Sequence, residues 1–286
     1  MIQNNENSEY SVAKILPENS GASASRSFVS EAKLHEELDH PRIIKFEGFH
    51  NDLSLTDGEG NQMTVTAIRS EFAPVGDLFD LLCIFDSMPP MIARFYAKQV
   101  VEAVAYLHEE KGIAHRDIKL ENVLIDDKFG ARLTDFGFSC KTDKETKLTD
   151  QAGTYEYSAP EQHEKTPYNG FEADIFSLGV AIFILVAGRM PFAAATKDDE
   201  FYVHFVNREE EKFWEMQEEC VEYPSSQPFF KREFRELMNG MLRYRASERM
   251  TIKEVMDHPW LQISPKVYEK SGEVVGEFLK KKGVTV

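Results

Sequence analysis

The stretch His-Arg-Asp-Ile-Lys-Leu-Glu-Asn at residues 115–122, followed by Asp-Phe-Gly at residues 135–137, decides the fold. Phosphoryl transfer from ATP needs a held nucleotide, metal ions against its phosphates and a hydroxyl aimed in line, with little covalent help from the protein. The two motifs supply acidic, basic and amide side chains in a fixed order and spacing. Together they predict a phosphoryl-transfer site that uses ATP and Mg²⁺.

Four side chains within these motifs carry the predicted chemistry. Asp117 can accept the proton of a substrate hydroxyl. Lys119, two residues on, can neutralise charge on the moving phosphoryl group. Asn122 and Asp135 offer the oxygen ligands that Mg²⁺ prefers. The sequence therefore predicts one base, one charge stabiliser and two metal ligands within a short segment.

These motifs resemble, together with Ala-Pro-Glu at residues 159–161, the catalytic-loop, metal-binding and activation-segment signatures of the eukaryotic protein kinase family. The similarity covers residues 10–262. Residues 174–179 resemble the start of the family's buried central helix, and Arg249 matches the arginine that pairs with Glu161. The resemblance implies an α+β, bilobal kinase fold with a β-rich small lobe and a mainly helical large lobe.

The predicted elements follow that division in the first part of the chain. Proline and glycine positions together with alternating apolar residues give three strands, one helix and one loop. The strands are predicted at residues 10–16, 43–49 and 63–68, the helix at 28–38 and the loop at 19–27. This part is expected to form a small lobe that lacks its first two strands.

The remainder of the chain is predicted to be mostly helical. Apolar residues at helical spacing predict an amphipathic helix that ends near Gly112, and the apolar run 178–187 is too short to span a bilayer and predicts a buried helix. Thr251 and Glu254 have capping-box spacing. The expected domains are a truncated small lobe at 1–72, a large catalytic lobe at 73–262 and a tail at 263–286 that ends in a Lys-rich surface helix.

The kinase resemblance also implies an ATP-binding site built from both lobes. Lys14 matches the phosphate-binding lysine, and Glu31 matches its ion-pair partner on the helix. Residues 70–73 align with the hinge whose backbone holds adenine, and Ser70 would guard the pocket behind the base. The implied ATP-binding residues are Val12, Lys14, Glu31, Ser70, Glu71, Ala73 and Leu124.

One family motif, the Gly-rich loop over the phosphates, is missing from the sequence. Thirteen residues precede Lys14, and none of them is glycine. Without that loop the site would lose backbone N–H donors to the phosphates and admit water, which lowers affinity and rate. Two alternatives to an active kinase therefore stand: a weak or inactive kinase-like binding or scaffold protein, and a fragment of a longer kinase.

The catalytic loop has the serine/threonine form. Lys119 follows Asp117 in the spacing typical of serine/threonine kinases, and Thr154 resembles the threonine that ties these two residues together. Within that class, the residues after Asp-Phe-Gly and the large lobe most resemble the calcium/calmodulin-dependent-type group. We find no EF-hand loop and no basic amphipathic calmodulin target, so direct calcium control is not predicted.

The activation segment carries an acid where many family members carry a phosphorylated threonine. That acid is Asp150, and we hypothesise that it supplies a permanent anion for Arg116 of the His-Arg-Asp motif. Thr149 is a competing phosphorylation site. If Asp150 takes this role, activity needs no activating kinase.

Composition restricts the partners. The formal charge of −16 argues against nucleic-acid and anionic-membrane partners and leaves room for basic protein substrates. Asp77 and Glu121 resemble carboxylates that accept arginines upstream of the target hydroxyl. The three widely spaced cysteines form no metal or disulfide pattern, so a soluble protein of the cytoplasm or nucleus is expected.

Overall fold

A β-rich lobe at the start of the chain is built from four strands and one helix. The computed structural model describes residues 2–3, 10–56, 59–85, 88–221 and 229–283. The elements are β1 (Ile2–Gln3), β2 (Tyr10–Pro17), α1 (Ala22–Glu36), β3 (Phe46–Thr56) and β4 (Gln62–Glu71). The strands form one antiparallel sheet in the order β1-β2-β4-β3.

Helix α1 is longer than the sequence predicts. It begins at Ala22, so the predicted loop over residues 19–27 is wrong from that point on. Gly21, with φ at 87°, precedes the first turn, and the alanines and serines that follow contain no helix-breaking residue. Phe28 and Ala32 then pack against Ile68 of β4, which fixes the helix on the sheet. Tertiary packing therefore outweighs the loop-like composition.

The sheet also extends one strand beyond the predicted edge. Ile2 pairs with Ser11 and Gln3 pairs with Tyr10, so one short strand that the sequence analysis did not predict lies beside β2. The pairing covers only two residues of β2. Within the described residues, the part of β2 from Val12 onward pairs with β4 alone.

The second lobe is mainly helical, which confirms the predicted α+β bilobal fold. Its helices are α2 (Leu78–Phe85), α3 (Pro90–Ala105), α4 (Pro160–His163), α5 (Gly170–Ala187), α6 (Val203–Val206), α7 (Glu210–Glu219), α8 (Arg232–Met241), α9 (Ile252–Asp257) and α10 (Pro265–Lys281). Short strands lie in the connections before and between these helices: β5 (Gly76–Asp77), β6 (Ile113–Ala114), β7 (Val123–Ile125), β8 (Ala131–Leu133) and β9 (Cys140–Lys141). Thr251 caps α9 through the predicted capping box with Glu254.

Helix α5 forms the centre of the large-lobe core. It is the one helix in the described part of the chain that is long and apolar enough to cross a membrane, judged by length and composition. However, 78% of this helix is buried inside the protein, so it is the buried core helix that the apolar run predicts. Helix α3 packs beside it, and a π-helical turn at Tyr106–Lys111 continues α3 to Gly112, whose φ of 62° ends it.

The C-terminal helix α10 is a packed element rather than a short surface helix. It spans 17 residues, and Val275 and Leu279 on its inner face are fully buried. Phe278 stacks on Phe85 of α2 with ring centroids 4.1 Å apart. The apolar stripe of this helix therefore docks against the large lobe.

Candidate active site

A buried carboxylate sets the backbone of the catalytic loop. Asp174, at the start of α5, accepts hydrogen bonds from the backbone N–H of Arg116 and of His115, both at 2.7 Å. The ring Nε2 of His108 lies 2.9 Å from the same side chain. Arg116 adopts a left-handed conformation with φ at 65°, which is costly for a residue with a Cβ. The two bonds to Asp174 offset that strain and hold the loop in one shape.

Asp117 lies at the centre of a hydrogen-bond network that joins three of the predicted site residues to it. The hydroxyl of Thr154 donates to Oδ1 of Asp117 at 2.7 Å, and Nδ2 of Asn122 donates to Oδ2 at 2.9 Å. Lys119 Nζ lies 2.8 Å from the Thr154 hydroxyl and 3.1 Å from Oδ2 of Asp117. Both carboxylate oxygens therefore have partners, and the orientation of Asp117 is fixed.

Lys14 joins the two lobes. Its Nζ lies 2.7 Å from Oε1 of Glu31 on α1 and 2.9 Å from Oδ1 of Asp135. Asp135 has φ at 63°, and the N–H of Gly137 donates to its Oδ1 at 3.4 Å. A Cβ at Gly137 would lie within 3.4 Å of atoms of all three charged residues, so the glycine leaves room for this cluster.

The pKa values of the three charged residues reflect burial and pairing together. Burial lowers the pKa of Lys14, but its hydrogen bonds to Glu31 and Asp135 outweigh that effect and raise the pKa above its usual value. Burial raises the pKa of Glu31, and the attraction of Lys14 only partly offsets this. For Asp135 the bond to Lys14 outweighs burial and lowers the pKa. Glu31 is the most deeply buried of the three, which explains the contrast.

The activation segment brings Asp150 to Arg116. Nη1 of Arg116 lies 2.8 Å from both carboxylate oxygens of Asp150, and Nε donates to the carbonyl of Phe138 at 2.6 Å. The hydroxyl of Tyr168 donates to the Asp150 carbonyl at 3.2 Å. Thr149, the competing phosphorylation site, is exposed. The structure therefore holds the acid, not the threonine, against the arginine.

The chain is similar to known protein kinases over most of its length. The protein kinase domain family matches residues 1–261 of the chain. The chain belongs to the protein kinase family. The serine/threonine-protein kinase SAPK7 of Oryza sativa subsp. japonica is 29% identical over 262 residues, which cover 91% of this chain and 67% of the relative. The Aurora kinase of Dictyostelium discoideum is 34% identical and covers 81% of this chain.

A third relative agrees with the serine/threonine type. The meiosis-specific serine/threonine-protein kinase mek1 of Schizosaccharomyces pombe is 33% identical over 80% of this chain. The chain spans about two thirds of the length of the rice relative, and about half of the Aurora and mek1 kinases. By these similarities the kinase belongs with the serine/threonine kinases.

The donor set of this kinase fits Mg²⁺ as a partner of ATP phosphates. Within the part of the chain that the structure describes, Asn122 bonds to Asp117 through Nδ2, which leaves its Oδ1 available. Among the described residues, Asp135 uses Oδ1 for its bonds to Lys14 and Gly137, which leaves Oδ2 available to a metal. The described residues contain no group of three or more His, Cys, Asp or Glu side chains that could hold a metal alone. Two protein oxygens supplemented by phosphates and water are the arrangement that Mg²⁺ commonly takes.

The predicted adenine side of the kinase site lies where β2 meets β4. Val12 pairs with Ser70 in register, and it shares a face of β2 with Lys14 because side chains alternate along a strand. Ala73 is buried just after β4 ends, and Leu124 lies in β7 at the edge of the large-lobe core. The predicted residues thus come from both lobes, as the resemblance implies.

Glu71 faces away from that side. Its Oε1 accepts the backbone N–H of Lys45 at 2.8 Å, and it lines a cavity of about 1030 Å³ together with Ser11, Phe72 and Arg132. Ser11 neighbours Val12 in β2 and therefore points to the opposite face of the strand. Any contact of Glu71 with a nucleotide would use its backbone rather than its carboxylate.

The two predicted substrate acids are held by separate neighbours. Oδ1 of Asp77 accepts the backbone N–H of Asp80 at 2.8 Å, at the start of α2. Glu121 is exposed, and its Oε2 accepts the hydroxyl of Tyr157 at 3.2 Å. Each acid keeps a second oxygen that these bonds do not use.

The sequence alone did not indicate a role in this site for two residues, Asp174 and His35. Asp174 anchors the catalytic loop, and the available signal was an acid next to the long apolar run of α5. His35 is 5% exposed, and its ring lies 4.9 Å from Phe136 and 5.4 Å from Phe46. It stands four residues after Glu31 and so shares that helix face, which the sequence could have indicated.

Proposed function

We propose that this chain is a protein serine/threonine kinase that transfers the γ-phosphate of ATP to serine or threonine hydroxyls of protein substrates. The observation that carries the proposal is the placement of Asp117, whose two oxygens are fixed by Thr154 and Asn122 beside Lys119. The Lys14 ion pairs to Glu31 and Asp135 support it, because they align the two lobes around the same place.

In this mechanism Asp117 accepts the proton of the substrate hydroxyl while that hydroxyl attacks. Lys119 offsets the charge that develops on the transferred phosphoryl group. Thr154 bonds to both residues and keeps them at a fixed separation. Lys14 anchors the phosphates, and Glu31 holds Lys14 in position. The Lys14 side chain is 49% exposed, so solvent screens the pair and its contribution to stability is only about 0–1 kcal/mol; its value lies in positioning.

Asn122 and Asp135 would hold the magnesium ion through their available oxygens. The ion would supply charge neutralisation at the phosphates and orient them for transfer. Val12, Ser70, Ala73 and Leu124, with the backbone of Glu71, would surround the adenine.

A second candidate function is a weakly active or inactive kinase-like scaffold. It is favoured by the absence of glycine from the residues before Lys14. Without a glycine-rich loop the phosphates would lose backbone N–H donors. This feature lowers the expected affinity for ATP, but it leaves every other catalytic position with the required side chain.

Finer features of the proposal concern substrates, subgroup and control. Asp77 and Glu121 would favour substrates with arginine near the target hydroxyl, and the acidic chain supports a preference for basic proteins. Asp150 would replace an activating phosphate. The sequence after Asp-Phe-Gly supports a place near the calcium/calmodulin-dependent-type kinases, without direct calcium or calmodulin binding. Three free cysteines fit an intracellular protein, with cytoplasm and nucleus both open.

The test is transfer of labelled phosphate from ATP and Mg²⁺ to a basic protein, with the chain compared to its Asp117→Asn variant. Asp198→Asn is the matched control, since Asp198 is an exposed acid outside the site. We expect transfer by the chain and by the control, and a loss of roughly 10²-fold or more in Asp117→Asn. Equal counts from the chain and Asp117→Asn would leave only the scaffold function.

A further inference from the structure

The connection between α1 and β3 is tied to two helices of the large lobe through one side chain. Arg42 lies in this connection. Its Nε donates to Oε2 of Glu102 on α3 at 3.0 Å, and its Nη2 donates to the hydroxyl of Tyr268 on α10 at 2.7 Å. The Arg42 side chain is 22% exposed, so solvent weakens these bonds less than at the open surface.

The packing of α10 on the large lobe fixes the position of Tyr268 beside Arg42. Its ring lies 4.9 Å from the ring of Phe95 on α3. At the other end of α10 a Cβ on Gly276 would come within 2.6 Å of the Phe129 ring, so the helix approaches the β7–β8 turn as closely as glycine allows. Burial raises the pKa of Tyr268 to about 12, so its hydroxyl stays neutral and accepts from Arg42.

The segment around Arg42 leads directly to the active site. The Arg42 carbonyl accepts the N–H of Leu133 at 2.8 Å, and Ile44 N–H donates to the Leu133 carbonyl at 3.0 Å. Leu133 lies two residues before Asp135. On the other side, the Ile44 carbonyl lies 2.8 Å from Nε2 of His35 on α1. A displacement of this segment would therefore move both α1 and β8, the strand that leads to Asp135.

We propose that Tyr268 and Arg42 are positioning residues, through which the C-terminal helix α10 holds α1 and with it the Lys14–Glu31 pair. The helix then acts as an intramolecular brace of the small lobe rather than as a cover for apolar surface alone. The consequence for activity rests on the proposed kinase function, whereas the consequence for α1 does not.

The test compares Tyr268→Phe with Tyr244→Phe. Each change removes one hydroxyl that bonds to a charged side chain, but Tyr244 bonds to Glu164, and both of these residues belong to the large lobe. Amide hydrogen exchange is measured over residues 22–36 and over residues 265–281. Loss of a partly exposed bond to a charged group is expected to speed exchange in α1 about 3- to 10-fold in Tyr268→Phe and to leave it unchanged in Tyr244→Phe.

Two further measurements separate positioning from general stability. Tyr268→Phe should raise KM for ATP severalfold with a smaller change in kcat, and its thermal midpoint should match that of Tyr244→Phe. Adding Arg42→Gln to Tyr268→Phe should add less to α1 exchange than it does alone, because the two residues share one contact. Unchanged α1 exchange in Tyr268→Phe, or equal acceleration throughout the chain, would overturn the proposal. Faster α1 exchange in a chain without transferase activity would support the brace and refute the kinase function.

Discussion

Removal of the Asp150 carboxylate tests whether this kinase carries its own activating anion. The perturbation is Asp150→Ala, which leaves Arg116 with its bond to the Phe138 carbonyl but without an anionic partner. Arg116 orders the activation segment next to Asp117, so loss of the pair should loosen the segment and reduce transfer.

The magnitude follows from the exposure of the two side chains. Arg116 is 10% exposed, which favours a strong pair, but Asp150 is 61% exposed, so solvent screens much of the attraction. A hydrogen bond to a charged group contributes about 1.5–3 kcal/mol when buried, and a surface ion pair about 0–1 kcal/mol. We therefore expect a loss of about 1 kcal/mol, or roughly fivefold in kcat/KM. The kcat/KM of Asp150→Asn should lie between those of the unmodified chain and Asp150→Ala, because asparagine keeps a hydrogen-bond acceptor and loses the charge.

The assay is steady-state phosphate transfer to a basic protein at low and high salt, for Asp150→Ala, Asp150→Asn and Thr149→Ala. The Asp150 effect should shrink as salt rises, because screening weakens the pair in the unmodified chain. Thr149→Ala should behave like the unmodified chain. The reasoning is refuted if Asp150→Ala leaves kcat/KM unchanged while Thr149→Ala abolishes transfer, since the threonine would then be the activating site.

Three further predictions concern the adenine pocket, the buried His35 of α1 and the large-lobe core. Ser70→Met should exclude bulky inhibitors that reach behind adenine, and an unchanged inhibition constant would contradict the hinge assignment. Burial lowers the pKa of His35, so the neutral form stabilises the fold fully above about pH 6.5 and this contribution is lost as the pH falls below it. In His35→Leu, the fall of the denaturation midpoint between about pH 7.5 and 5.5 should therefore be smaller, and an unaltered fall would assign it to other groups. Glu161→Ala should lower the free energy of unfolding, measured by chemical denaturation, by about 3–5 kcal/mol. The reason is that the fully buried Arg249, which Glu161 contacts at 2.6 Å, would lose its anionic partner. A loss below about 1 kcal/mol would show that the pair contributes little to stability.

The parts of the site that lie close together in sequence were predictable. Asp117, Lys119 and Asn122 share one loop, so their side chains must converge once the loop folds. Thr154 could be added only through the family resemblance, because nothing in local spacing brings it to that loop. Periodicity and turn residues predicted a strand-rich first part and a mostly helical remainder, and the family resemblance implied that these form a bilobal α+β fold.

Contacts between distant residues outside the family motifs were beyond the sequence. Arg42 and Tyr268 are separated by 226 positions, and neither belongs to a motif. The early start of α1 was missed because the residues before Phe28 look like a loop until they are packed on β4. Strand β1 was missed because its two residues gain their structure only by pairing with β2.

The register of Lys14 is fixed by the pairing of β2 with β4 rather than by β1. Strand β2 pairs with β4 from Ser11 to Pro17, which fixes its register through Lys14, whereas β1 contacts only Tyr10 and Ser11. The ion-pair partner of Lys14 lies on α1, which is held from the large-lobe side. Fewer backbone N–H donors to the phosphates should therefore weaken contacts that are made before and during transfer alike, and such a loss raises KM for ATP more than it lowers kcat. The ratio of activities between the chain and Asp117→Asn should then stay large even where affinity for ATP is low.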